Sequence, residues 1–156
     1  MITSRGVKPL APYQHKFKNL YLFGAFSGID GAHFLLEMPY CNKDAFQIFL
    51  DQFAEQKPDE FKIIILDNGA FHHAKSLSIP RNIALLFLPP YCPELNPAEN
   101  MWQFIKGKVS MSVHKTIETL QQLLSNTIHN ELTEPIVQSI CGRQFYNNTF
   151  KCIFNV

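Results

Sequence analysis

Ile63-Ile64-Ile65-Leu66-Asp67-Asn68-Gly69, with the second run Ile83-Ala84-Leu85-Leu86-Phe87-Leu88-Pro89-Pro90, decides the fold class. Neither run alternates apolar with polar residues. An unalternating strand is expected to be buried on both faces, as in a parallel sheet covered by helices. The polar stretch from Phe71 to Pro80, expected to be helical in part, makes the segment a β-α-β unit whose two strands run parallel. The class is therefore α/β.

Upstream lie two aromatic and aliphatic runs, Leu20 to Phe26 and Ala32 to Met38, split by Ser27-Gly28-Ile29-Asp30-Gly31. Glycines permit a tight loop, so these runs read as a β-hairpin. After Pro39, Asn42 can cap a helix in which Phe46, Phe49, Leu50 and Phe53 recur at helical spacing. Before the hairpin, Met1 to Lys18 carries Arg5, Lys8, Lys16 and Lys18 among prolines and reads as an extended basic lead-in.

Downstream, the stiff segment Pro89 to Pro97 gives way to Asn96-Pro97-Ala98-Glu99, a start signal with Asn96 as cap and Pro97 at the first helical position. Trp102, Ile105 and Val109 then share one helix face, and Trp102 reads as core. Thr116 can cap a helix carrying Ile117, Leu120, Leu124 and Ile128, and Thr133-Glu134-Pro135 opens a shorter one ending near Gly142. The aromatic tail from Phe145 to Phe154 has no period and receives no assignment. One domain is expected over 1–156, with a lead-in at 1–18, a core at 19–110, and terminal helices and tail at 111–156.

With 46% hydrophobic and 17% charged residues among 156, the chain has ordinary globular composition. Its 14 Lys+Arg against 13 Asp+Glu give a net charge of +1, so no global positive field marks a nucleic-acid binder. Any DNA grip must be local, or must come from elsewhere. Cys41, Cys92, Cys141 and Cys152 have neither zinc-site spacing nor the density of a disulfide scaffold, and read as free thiols. No apolar run approaches the ~18 residues of a membrane span, so a cytoplasmic protein without a membrane partner is expected.

Parallel strands of one sheet end at the same edge, which places Asp67 beside the Leu88-Pro89-Pro90 exit. The loop to Pro97 can turn back and bring Glu99 over Asp67. Converging carboxylates repel unless a cation lies between them, and hard oxygen ligands favour Mg²⁺ or Mn²⁺. Two such ions about 3.5–4 Å apart suit phosphoryl transfer. Each residue also has a plainer reading. Asp67-Asn68-Gly69 is a good turn, Glu99 sits where a capping-box glutamate sits, and His72 and His73 read as solvated. Lys106 and Lys108 are either a solvated face or phosphate contacts, as are the four basic residues of the lead-in.

Together, Leu66-Asp67-Asn68-Gly69-Ala70-Phe71-His72-His73-Ala74-Lys75 and Leu88-Pro89-Pro90-Tyr91-Cys92-Pro93-Glu94-Leu95-Asn96-Pro97-Ala98-Glu99-Asn100-Met101-Trp102 closely resemble the mariner-like superfamily of bacterial insertion-sequence transposases. Cys92 stands where serine is commoner. The resemblance extends back to Arg5-Gly6-Val7-Lys8-Pro9 and covers about the first two thirds of the chain. It implies an RNase H-like DDE endonuclease domain, a mixed sheet flanked by helices. It also implies that Asp67 and Glu99 are the second and third acids of a metal-binding aspartate-aspartate-glutamate triad. A two-metal Mg²⁺ or Mn²⁺ site and a dimeric complex on transposon ends and target DNA follow from the same likeness. Arg5, Lys8, Lys16, Lys18 and Lys106 are the expected DNA contacts, and a nucleoid-associated location is implied.

In that family the first aspartate lies on a strand upstream of the arginine-glycine-x-lysine-proline segment, which here begins at Arg5. Asp30, in the hairpin loop, is a poor substitute. The chain is therefore expected to lack the first strand, the first acid and a helix-turn-helix region, and alone to cleave little or no DNA. The alternatives are a non-enzymatic remnant and a partner that complements an upstream-frame polypeptide. A small-molecule phosphohydrolase is disfavoured by the absence of a glycine-rich phosphate loop.

Overall fold

Tyr21–Phe26 (β1) and His33–Met38 (β2) pair antiparallel, Phe23 opposite Leu36 and Ala25 opposite Phe34. The computed structural model describes residues 19–67, 69, 77–90, 95–110 and 116–142. The hairpin turn closes through Ser27 N–H to Ala32 O at 2.8 Å and Gly31 N–H to Ser27 O at 3.0 Å. Gly31 takes φ +79° there, a conformation costly for any side-chain-bearing residue.

Lys43–Glu55 (α1) starts as the sequence predicts, with Asn42 Oδ1 accepting from Ala45 N–H at 2.9 Å. Lys62–Leu66 (β3) and Ile83–Phe87 (β4) follow and pair parallel in a second two-stranded sheet. Then come Ala98–Ser110 (α2), Ile117–Glu131 (α3) and Glu134–Cys141 (α4). Thr116 caps α3 reciprocally with Thr119, as its sequence position suggests.

Two cores meet at the hairpin. On one face, Phe23, Ala25, Phe34 and Leu36 join Phe46, Phe49 and Leu50 of α1, and that cluster continues into Leu66 and Ile83 of the second sheet. The phenylalanine rings stack through it, Phe34 to Phe53 at 5.5 Å and Phe46 to Phe49 at 6.2 Å. On the other face, Leu22, Phe26 and Leu35 pack against Met101, Ile105, Leu124, Val137 and Cys141 from α2, α3 and α4.

Two expectations need correction. Among the described residues the strands form two separate two-stranded sheets and not one mixed sheet. The second sheet is also not buried on both faces. Ile64, Leu66, Ile83, Leu85 and Phe87 turn toward α1, but on the opposite face Ile63 and Leu86 are each 54% exposed. The reason is the distribution of helices: α2, α3 and α4 gather on the hairpin and leave that face of β3 and β4 uncovered. The expected helix within 71–80 falls largely on 71–76, outside the described residues, and 77–80 is not helical.

Candidate active site

β3 starts at the C-terminal end of α1, where Lys62 Nζ lies over the Phe53 ring at 5.5 Å and Asn82 Nδ2 donates to Ala54 O at 2.9 Å. Leu88 N–H donates to Leu66 O at 2.9 Å, so the parallel ladder holds to the last residue of β3. Asp67 follows at once, exposed, at the carboxyl end of the strand. Its Oδ1 accepts from Gly69 N–H at 3.1 Å, the local turn that an Asp-x-Gly sequence favours.

Glu99 lies in the first turn of α2, also exposed. Asn96 begins the helix as predicted: its Oδ1 accepts from Ala98 N–H at 3.1 Å and its carbonyl from Glu99 N–H at 3.2 Å. A carboxylate there lies at the end of the helix where backbone N–H groups point outward. Glu99, Gln103 and Lys106 are all exposed and recur at four- and three-residue spacing. They therefore form one outward stripe that carries an acid and a base about two turns apart.

Asp67 accepts within its own turn, and the first turn of α2, which bears Glu99, is closed by Asn96. No group of three or more His, Cys, Asp or Glu side chains able to hold a metal occurs among the described residues. As hard, exposed oxygen donors, the two carboxylates suit Mg²⁺ or Mn²⁺ in kind, but they are fewer than a closed ligand set requires.

The other expected residues divide. Lys106 is exposed on α2, whereas Lys108 pairs with Glu131 and lies over the Phe104 ring at 5.4 Å, a structural role. Trp102 packs edge-on against Phe26 at 5.3 Å, in keeping with its core reading. Arg5, Lys8, Lys16, Lys18, His72, His73, Cys92 and Cys152 lie outside the described residues. Cys41 and Cys141 are free thiols.

Asp30 is committed to the hairpin turn, its Oδ1 accepting from Ala32 N–H at 3.0 Å. The Ser27 hydroxyl holds its carboxyl below the ordinary value, partial burial opposes this, and the Ala32 amide assists.

A short acid-bearing turn after a parallel strand, followed by a capped helix with an acid in its first turn, is a scaffold suited to metal-assisted phosphoryl chemistry. The family model described as DDE superfamily endonuclease matches residues 3–121, most of the chain, and the chain belongs to that family. It is also similar to a Sinorhizobium fredii (strain NBRC 101917 / NGR234) protein described as uncharacterized protein y4pE/y4sA, with 41% identity over 87 residues. That match covers 55% of this chain and 64% of the relative, so it spans less than two thirds of the relative's length. No solved structure matches the chain. No described helix is long and apolar enough to cross a membrane.

One feature escaped the sequence. Cys141, on α4, reaches Pro97 O at the start of α2 with its Sγ at 3.7 Å. The four cysteines carry no spacing signal, and a contact across 44 residues leaves none in a local pattern.

Proposed function

We propose that this chain carries part of the catalytic domain of a mariner-like insertion-sequence transposase, acting in metal-dependent DNA strand cleavage and strand transfer. The observation that carries the reading is the placement of two exposed acids within the matched region: Asp67 directly after β3, and Glu99 in the first turn of the capped α2. Asp67 and Glu99 would hold Mg²⁺ or Mn²⁺ as the second and third acids of the triad. When bound, the metal supplies Lewis-acid activation of the attacking oxygen and stabilises the leaving oxygen.

The protein's own part is orientation. Gly69 N–H fixes one oxygen of Asp67, and the Asn96 cap sets the direction in which Glu99 leaves the helix. Lys106, on the same stripe as Glu99, would meet a DNA phosphate, and Arg5, Lys8, Lys16 and Lys18 would track the backbone further along. The DNA partners are transposon ends and target, engaged by a dimer.

Mn²⁺ titration followed by melting tests the site. The parent chain should gain melting temperature with Mn²⁺, and Asp67→Asn or Glu99→Gln should remove most of that gain. If both variants respond as the parent does, Asp67 is only a turn residue and Glu99 only a capping one.

A second reading assigns the same site to a two-chain enzyme. In it, an upstream polypeptide supplies the first acid and its strand, and this chain works as the complementing subunit. Mixing the two products and assaying Mn²⁺-dependent nicking separates the readings. Nicking only in the mixture supports complementation, and nicking by this chain alone refutes it.

A further inference from the structure

The helix α4 lies beyond residues 3–121, the region matched by the family model, yet it reaches into the place where α2 begins. We propose that Cys141 is a positioning residue whose thiol, carried on α4, fixes the start of α2 and thereby the place of Glu99. The proposal rests on the reading of Glu99 as a metal ligand.

The seat of α4 is the hairpin turn. A Cβ at Gly31 would meet Glu134 O at 2.2 Å, and one at Gly28 would meet Cys141 O at 2.7 Å, so both ends of α4 lie directly on turn backbone. Between them Gln138 Nε2 donates to Ile29 O at 2.7 Å. The underside is closed by Val137, fully buried against the same cluster as Met101 of α2. Backbone seated on backbone, with a hydrogen bond at its middle, leaves α4 little freedom to shift.

From that seat Cys141 extends Sγ to Pro97 O at 3.7 Å, and the residue is only 2% exposed. A thiol is a weak donor, but this one is itself buried away from solvent. Burial pushes this thiol up to about 11, so it keeps its proton, and hence its role as donor, through the neutral range. Pro97 suits such a hold because its ring fixes φ. Its carbonyl also accepts from Asn100 N–H at 3.3 Å, so a shift at Pro97 moves the turn that bears Glu99. The line of contacts therefore runs from the hairpin turn through α4 and Cys141 to Pro97 and Glu99.

The test compares Cys141→Ala, which removes the donor, with Cys141→Ser, which keeps one, and runs Glu99→Gln beside them in the full chain. Amide hydrogen exchange is read at Ala98 to Met101 and, as a control, at Ile136 to Ile140 within α4. Mn²⁺ affinity is read by the electron paramagnetic resonance signal of the free ion. In Cys141→Ala, exchange at Ala98 to Met101 should accelerate while α4 stays protected, and Mn²⁺ affinity should fall about tenfold, as for loss of a ligand-orienting contact. Cys141→Ser should restore both.

Unchanged exchange at the start of α2 in Cys141→Ala would overturn the proposal, as would equal acceleration throughout α4, which would indicate simple loosening of the core. Faster exchange at Ala98 to Met101 with Mn²⁺ affinity unaltered in all three variants would uphold the hold on α2. In that case it is the assignment of Glu99 to the metal that fails.

Discussion

At the scale of single residues, Cys141 and Gly31 each answer to one physical cause. Burial raises the Cys141 thiol from its ordinary 9.0 to about 11, so the folded chain binds that proton more tightly than the unfolded chain does. The stability contributed is whole below pH 9.0 and is lost as pH rises toward about 11. Urea midpoints measured across that interval should fall in the parent, and the component due to this thiol should vanish in Cys141→Ala. A midpoint curve that is the same in both chains would show that the thiol ionises freely. Gly31 is constrained twice, by φ +79° and by Glu134 O at 2.2 Å from any added Cβ. The places of Asp67 after β3 and of Glu99 in the first turn of α2 were legible because each stands at the end of a strongly marked element. The use of Cys141 was not, since what determines it is a partner 44 positions away.

At the scale of elements, α1 ties the hairpin to the second sheet. Its start depends on Asn42, which accepts from Ala45 N–H at 2.9 Å. Replacing that cap by alanine leaves an amide without its partner, and Asn42→Ala should cost about 1 kcal/mol by chemical denaturation. A loss below a few tenths would mean that the phenylalanine face alone starts the helix. The hairpin was readable from two apolar runs about a glycine-bearing loop, and α1, α2 and α3 because apolar period and cap residues agree in each, as in Asn42 before Phe46 and Thr116 before Leu120. The second sheet was read only in part. A continuous run such as Ile63 to Leu66 reports that a strand is apolar on both sides, but whether a helix covers both sides is decided by where distant elements settle. Here they settle on the hairpin, so Ile63 and Leu86 remain in water.

For the whole molecule, the hairpin is the wall between two cores, with Phe23 and Phe34 on one side and Leu22, Phe26 and Leu35 on the other. Leu50 is fully buried in the first core, whereas Trp102, the sole tryptophan of the chain, packs on Phe26 in the second. Leu50→Ala should cost about 2–5 kcal/mol. Because the wall is shared, the loss should be seen equally by tryptophan fluorescence and by far-ultraviolet circular dichroism. A fluorescence midpoint that stays at its parent value while the dichroism midpoint drops would divide the chain into two independently melting units. The uncovered side of β3 and β4 also has a consequence for handling. Aliphatic groups in water are driven together more strongly by excluded cosolutes such as sulfate. Salting-out should therefore begin at lower ammonium sulfate for this chain than for one bearing lysine at positions 63 and 86.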